Sequence, residues 1–299
     1  MLMRAATVAR FGGPEAVDIT QHPVPEPGRG QVRIKVKAAA LNPVDVAMRQ
    51  GVFGGAERIG LGFDVAGTVD AAGPGTSWSA GDRVIALVTG HHKPLGTHAD
   101  YVVVAADTLA PTPSTLDDID AATLPLNATT AAQVLSLLAL APGQHLLVTG
   151  AGGGVGSHVV ELAHRQGLKV TGTGSAAFEE YLVSRGADHF LAREQAFPEG
   201  GFDGVLDAAG LGASALTAVR DGGVYAGLWP GQEPPSQRDI RVGALSVRAD
   251  GALLTHLSTL ADQGVLRTRV AQTCPLHSSA AAHTRLAAGG LRGRIVLVP

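Results

Sequence analysis

The chain has 299 residues and a formal charge of −3, with 45% hydrophobic, 16% charged and only 4% aromatic residues. That length suits one large domain or two ordinary ones around a core of Ala, Val and Leu. The absence of a basic surplus or an aromatic-plus-basic stretch disfavours a nucleic-acid role driven by phosphate neutralisation, and the lone Cys274 excludes an internal disulfide and a thiolate zinc cluster.

The opening MLMRAATVARFGG has an early arginine, no long apolar run, and leads into strand-like sequence, so it does not read as a signal peptide. No apolar stretch reaches the length of a membrane span, and the sequence predicts a cytoplasmic protein with no membrane contact. Short strand-like runs then follow one another. QVRIKVKAAAL (31–41) alternates apolar and polar residues; FDVAGTVDAAG, DRVIALV and HADYVVVAADTLAPTP come after it, separated by Gly and Pro. The spacing predicts an all-β, barrel-like body.

Near Pro125 the character changes. LNATTAAQVLSLLAL predicts a helix. Beyond it HLLVTG, GGVGSHVVELAHRQG, KVTGTG, AAFEEYLVSRGA, HFLA, DGVLDAAG and GGVYAGL alternate strand with helix, as a doubly wound parallel sheet requires. ADGALLTHLSTLADQGVL predicts a helix, RTRVAQTCPL a strand, SSAAAHTRLAAGG a helix and GRIVLVP a closing strand. This tail does not continue the repeat, so it is expected to return to the first domain. The expected division is residues 1–125 completed by 263–299, with a nucleotide-binding domain at 126–262 between them.

The stretch from Gly150 to Gly156 holds five glycines among seven residues. A strand ending at Thr149, a glycine turn and a helix from about Gly154 is the arrangement that holds a pyrophosphate, because backbone N–H groups at the helix start face the phosphates. The pattern G-x-G-x-x-G fails from Gly150 but fits one residue later with alanine first, as Ala151, Gly153 and Gly156. Gly154 and Val155 complete the predicted loop; the competing reading is a plain glycine-rich turn. NAD-binding folds place an acid about 20 residues on, to grip the ribose 2′-hydroxyl. Here residues 171–177 contain none. A carboxylate there would repel a 2′-phosphate, so its absence favours NADPH. Ser175 can donate a hydrogen bond, and Arg193 after the next strand is the nearest base, the alternative being a surface arginine without a ligand.

Taken together, AAALNPVDVAMRQGVF, GFDVAGTVDAAGPGTSWSAGDRV, ATLPLNATTAAQVL, GAGGGVG and GLRGRIVLVP resemble the zinc-independent quinone oxidoreductase branch of the medium-chain dehydrogenase/reductase superfamily, nearly end to end. The resemblance implies an α/β protein with a GroES-like β-barrel domain and a Rossmann doubly wound parallel-sheet domain. It also implies NADPH-dependent reduction of quinones or activated enones, and a homodimer. Zinc enzymes of that superfamily carry a Cys where Asn42 stands and a histidine before the acid of GFD (62–64). No metal is therefore expected, and His91, His92 and His98 on TGHHKPLGTH read as a solvated turn.

Without a metal, developing charge on the substrate oxygen needs a hydrogen-bond donor. The resemblance makes Asn42 the first candidate, with a turn cap before Pro43 as the alternative, and Asp45 the brace of that loop. Thr129 resembles the residue against the nicotinamide end of the cofactor. The backbones of Ala208 and Leu228, at strand ends, are plausible contacts for ribose and carboxamide. Met48, Phe53 and Trp229 are candidate pocket walls, core packing being the alternative. Arg294 stands at the lysine of the family's terminal GKIVL and either contacts cofactor or pairs on the surface. Many relatives carry tyrosines where this chain has Phe53 and Ala47. Phenylalanine and alanine offer no proton, which favours a quinone over an enoyl thioester and leaves the proton donor open. Two further readings stand beside this one: an enoyl or alkenal reductase on the same scaffold, and a non-catalytic NADPH-binding protein.

Overall fold

The computed structural model describes residues 1–55 and 58–299. These form two compact units, Met1–Leu126 with Arg248–Pro299, and Asn127–Val247. In the first unit lie strands β1 (Leu2–Val8), β2 (Val17–Pro23), β3 (Gln31–Leu41), β4 (Ile59–Gly60), β5 (Asp64–Ala72), β6 (Arg83–Leu87), β7 (Tyr101–Ala105) and β8 (Leu109–Pro111), with helices α1 (Pro43–Arg49) and α2 (Asp118–Ala121). Helix α3 (Pro125–Leu138) leads into the second unit. There β9 (His145–Thr149), α4 (Gly154–Arg165), β10 (Lys169–Gly174), α5 (Glu179–Val183), β11 (His189–Ala192), β12 (Phe202–Asp207), α6 (Ala213–Leu216), β13 (Val219–Gly227) and β14 (Arg241–Ala244) follow. The chain closes with α7 (Gly251–Asp262), β15 (Val270–Pro275), α8 (Ser279–Ala287) and β16 (Arg294–Val298) in the first unit.

The first unit joins a three-stranded sheet, β2-β1-β4, to a seven-stranded one, β15-β16-β3-β5-β6-β8 with β7 also on β3. The alternation of QVRIKVK buries Val32, Ile34 and Val36 against Val65, Val69, Val84, Val102 and Val104. It stops at Ala39, and Ala39, Ala40 and Leu41 are all buried. At this point β3 leaves its earlier partners and pairs with β16, Leu41 opposite Ile295. That crossing sets Arg294, first residue of β16, beside Asn42, which follows β3. The return to this unit comes at Arg248, earlier than the expected residue 263. Helix α7 belongs here because Leu254 packs with Ile85, Ala110 and Val296, and Ser258 Oγ donates to Pro111 O at 2.7 Å.

The second unit is a six-stranded parallel sheet in the order β11-β10-β9-β12-β13-β14. Counted within the unit this is 3-2-1-4-5-6, so the strand order reverses beside β9 and opens a crevice at its carboxyl end. The glycine run begins there. Two elements differ from the sequence reading. HADYVVVAADTLAPTP is not one strand: a 3-10 turn, Ala106–Thr108, separates β7 from β8. Strand β14 has no counterpart in the sequence reading, because the edge strand RVGA has three of its four residues half-buried and one exposed, and shows no alternation. Among the described residues no helix is long and apolar enough to cross a membrane.

Candidate active site

The glycine loop is a turn followed by a helix start, though its frame differs from the letter pattern. Gly150 carries the turn, with φ +60°, and its carbonyl accepts the N–H of Gly153 at 2.9 Å. Gly153 is the N-cap of α4. A Cβ on Gly153 would meet only Gly150 O, at 3.1 Å, and otherwise open space. A Cβ on Gly156 would lie 2.5 Å from Gly150 O and 2.7 Å from the α-carbon of Ala151, so this glycine serves helix–strand packing. Ala151, the expected first member of the pattern, is fully buried and donates its N–H to Thr173 O at 3.0 Å. Its methyl faces Gly172 of β10. It shapes the turn, and the outward positions are Gly153, Gly154 and Val155.

At the ends of β10 and β11 the structure brings Ser175 and Arg193 together. Gly174 pairs with Ala192, and the N–H of Arg193 donates to Gly174 O at 2.8 Å. Arg193 is exposed and Ser175 half-buried, and neither side chain has a partner among the described residues. Phe178, absent from the sequence reading, lays its ring over Gly152, where a Cβ would come within 2.7 Å. Only a glycine permits that contact.

Asp207 is a second feature the sequence reading missed, since only the backbone of DAAG attracted attention. Its buried carboxylate accepts from Thr149 Oγ1 at 2.6 Å, Gly212 N at 2.7 Å and Tyr225 Oη at 2.8 Å. Burial, and then the bond to Asp207, hold the Tyr225 phenol well above its usual range. This network ties β9, β12 and β13 together beneath Gly150, and Thr149 Oγ1 accepts the N–H of Ala209 at 3.0 Å. Ala208 and Leu228 are half-buried just beyond β12 and β13. Thr129 on α3 is buried, and its hydroxyl has no partner among the described residues. A buried hydroxyl without a partner costs free energy unless a ligand or water supplies one. The open face at Gly153 and the unused groups of Thr129 and Ser175 fit a dinucleotide.

In the first unit the expected catalytic residues form a buried polar chain. Asn42 Nδ2 donates to Asp64 Oδ2 at 2.6 Å and to Ala40 O at 3.2 Å. Arg294 donates to Asn42 Oδ1 and, at 2.7 Å, to Leu41 O. Both amide hydrogens of Asn42 are therefore engaged within the protein, which corrects its expected part as a free donor to substrate. Asp45 is likewise enclosed. Its oxygens accept the N–H of Asn42 at 2.9 Å and of Gly62 at 2.8 Å, fastening the start of α1 to the segment between β4 and β5. Arg294 does not pair on the surface: its guanidinium donates inward, to Leu41 O and Asn42 Oδ1. It orients Asn42.

Asp64 ends this chain, accepting the N–H of Leu126 at 2.6 Å. Burial pushes its carboxyl up from 3.8 to about 7, against the opposing pull of Leu126, Asn42 and Arg294; Asp45 adds to the rise. A raised acid binds its proton more tightly folded than unfolded. Its contribution to stability is therefore present below the unfolded value and lost as pH climbs to about 7. The difference in unfolding free energy between wild type and Asp64→Asn should move against wild type across that window, by a few kcal/mol at about 1.4 kcal/mol per pH unit. Denaturant titrations of both proteins at pH values through the window test this. A constant difference contradicts it.

Among the pocket candidates, Met48 is 1% exposed and belongs to the core, the less interesting of its two readings. Phe53 is half-buried and stacks on His91 at 3.8 Å, with the planes 5° apart. Trp229, in the second unit, is half-buried after β13. The turn carrying the three histidines is not uniformly solvated. His98 is 1% exposed with Nε2 3.1 Å from Ala40 O, and His91 lies between Phe53 and Phe63. Only His92 is exposed. Among the described residues no group of three His, Cys, Asp or Glu is placed to hold a metal ion.

A β-rich unit completed by the C-terminus, together with a doubly wound sheet carrying a glycine loop at its switch point, defines a two-domain nucleotide-dependent oxidoreductase. Residues 28–114 match the model of the alcohol dehydrogenase GroES-like domain and residues 177–297 that of the zinc-binding dehydrogenases. The chain is 32% identical to an NADPH-dependent alkenal/one oxidoreductase, chloroplastic, of Arabidopsis thaliana, over 99% of this chain and 80% of that protein. It is 37% identical to a quinone oxidoreductase of Rattus norvegicus over 65% of this chain and 60% of that protein. The solved quinone oxidoreductase from Coxiella burnetii superposes with a TM-score of 0.87 at 25% identity, covering all of both chains. The protein belongs to the medium-chain dehydrogenase/reductase superfamily, alongside its quinone and alkenal oxidoreductases.

Proposed function

We propose that this protein uses NADPH to reduce quinones or activated enones by hydride transfer, without a metal ion. When bound, the reduced nicotinamide supplies the hydride. The observation that carries the cofactor choice is the juxtaposition of Ser175 and Arg193 at the ends of β10 and β11, neither side chain with a partner among the described residues, and with no carboxylate between residues 171 and 177. A guanidinium and a hydroxyl suit a phosphate ester, whereas a ribose diol would call for an acid. Gly153, Gly154 and Val155 hold the pyrophosphate at the start of α4, and the buried hydroxyl of Thr129 offers the nicotinamide end a hydrogen bond. The two named relatives support the substrate class, a conjugated carbonyl. Asn42 and Asp45 keep the segment before and through α1 in place instead of reacting.

Titration by nicotinamide fluorescence should give tighter binding of NADPH than of NADH, and Arg193→Ala should narrow that preference by about tenfold, the worth of one exposed charge-assisted contact. Equal affinity for both nucleotides in the wild type refutes the 2′-phosphate assignment. Steady-state oxidation of NADPH with quinones, enones and enals tests the reaction. Tight NADPH binding with no turnover on any of them would support a non-catalytic binding protein instead.

A further inference from the structure

The turn between β6 and β7 carries a cation that the sequence reading passed over. Lys93 Nζ lies 3.5 Å from the centroid of the Phe63 ring and donates to Val88 O at 3.3 Å and Gly90 O at 3.2 Å. Both bonds are long for an N–H···O contact, and the remaining contact of the ammonium is the face of the Phe63 ring. Phe63 directly precedes Asp64 in the buried polar chain. His91, two residues before the lysine, stacks on Phe53 and lies 6.2 Å from Phe63 at a tilt of 57°. The segment after α1 is pressed onto the same turn, since a Cβ on Gly55 would fall 2.5 Å from His92 Nδ1. Phe63 thus carries the ammonium on its face, and the stacked pair of His91 and Phe53 stands next to Phe63. Flat π-faces suit a planar conjugated ligand, and the ammonium suits an oxygen that gains negative charge.

We propose that Lys93 receives the oxyanion that develops on the substrate and gives it a proton, the part that Phe53 and Ala47 cannot play. The proposal rests on the reductase reading above. A conjugated carbonyl lies against Phe53, Phe63 and His91 with its oxygen toward Nζ. As the hydride forms a C–H bond at the far end of the conjugated system, the π electrons shift onto the carbonyl oxygen and the nicotinamide is oxidised. An O–H bond forms as one Nζ–H bond breaks. The enol tautomerises in solvent, and water returns a proton to the neutral amine.

The setting keeps this proton available. Burial lowers the ammonium from 10.5 to about 8, while Asp45 and Asp64 favour its charged form. The groups facing it are Asp45 of α1, Asp64 of β5, and His91, His92 and His98 of its own turn. Asp64, pushed up to about 7, and His91 and His98, lowered by burial, all titrate below the lysine.

Lys93→Met should lower kcat by about 10²-fold, with NADPH affinity and Tm held. Lys93→Arg, which keeps the charge but gives up no proton in this pH range, should recover the part of that loss due to oxyanion stabilisation and not the part due to protonation, and should lack the alkaline limb. Wild-type kcat should fall above pH 8 as the ammonium deprotonates, and Lys93→Met should lack this limb. A methionine variant with wild-type kcat and an intact limb overturns the proposal and leaves the reductase reading standing. No oxidation of NADPH by wild type with any conjugated carbonyl overturns both. If the methionine variant does not fold, the arginine variant and the wild-type profile decide, and a wild-type profile without an alkaline limb overturns the assignment.

Discussion

Gly153→Val should weaken NADPH binding by about 10³-fold while leaving the fold nearly intact. The size follows from the geometry of the loop. The pyrophosphate must approach the backbone at the start of α4 closely enough to accept N–H bonds, each worth about 1.5–3 kcal/mol when one partner is charged. Valine at the N-cap would hold the phosphates off and forfeit about two such bonds, and 1.4 kcal/mol is a factor of ten. The protein itself loses little, because the new Cβ meets only Gly150 O, at 3.1 Å. Gly156→Val is the contrast: its Cβ would stand 2.5 Å from the same carbonyl and 2.7 Å from the Ala151 α-carbon, backbone atoms that cannot move aside. This second variant should lose Tm first and affinity only as a consequence. Fluorescence titration with thermal melts of both proteins separates the cases. Wild-type affinity in a folded Gly153→Val would mean that the phosphates bind elsewhere.

The contrast also marks what a sequence reveals. The doubly wound sheet was legible because strands and helices alternate at lengths that chain-local periodicity records, and the glycine loop because its residues are contiguous. The frame within that loop was not. Letters favour Ala151, Gly153 and Gly156, yet the turn sits on Gly150, since a positive φ is a property of the backbone path and five neighbouring glycines all permit it. The polar chain at Asn42 was hidden for another reason. Arg294 and Asn42 are 252 residues apart, and only the crossing of β16 onto the end of β3 makes them neighbours. Residue type suggested that Asn42 donates, but not that Asp64 and Ala40 already take its hydrogens. Lys93 escaped notice because a lysine in a turn of histidines reads as solvent-facing until Phe63 is placed beneath it. Phe53 was read both as a pocket wall and for the hydroxyl it lacks, but its stacking on His91 joins segments that no local pattern connects.

Removing Arg294 should be the most damaging single change in the first unit. Arg294→Met fills similar volume but leaves Leu41 O and Asn42 Oδ1 without their donor, and deprives Asp64 of the cation that favours its charged form. Two orphaned acceptors and a weakened buried charge together cost about 3 kcal/mol. For a unit of the size of Met1–Leu126 with Arg248–Pro299 that lowers Tm by roughly 6–12 °C. Part of the loss should be electrostatic and part hydrogen bonding, and a double-mutant cycle separates them. In an Asp64→Asn background the charge is gone, so above pH 7, where Asp64 is ionised, Arg294→Met should cost about 1 kcal/mol less than in the wild type. Arg294→Lys keeps the charge with a single point donor in place of the planar fork, and should recover the electrostatic part more fully than the bonding part. Strict additivity of the two substitutions would show that Arg294 and Asp64 do not sense one another through Asn42. The arginine would then be a strand-end contact to Leu41 alone, and kcat in Arg294→Met would stay near wild type below its melting temperature. If the chain of contacts operates as its geometry indicates, kcat falls together with the coupling, because Asn42 loses the partner that fixes its amide toward Asp64.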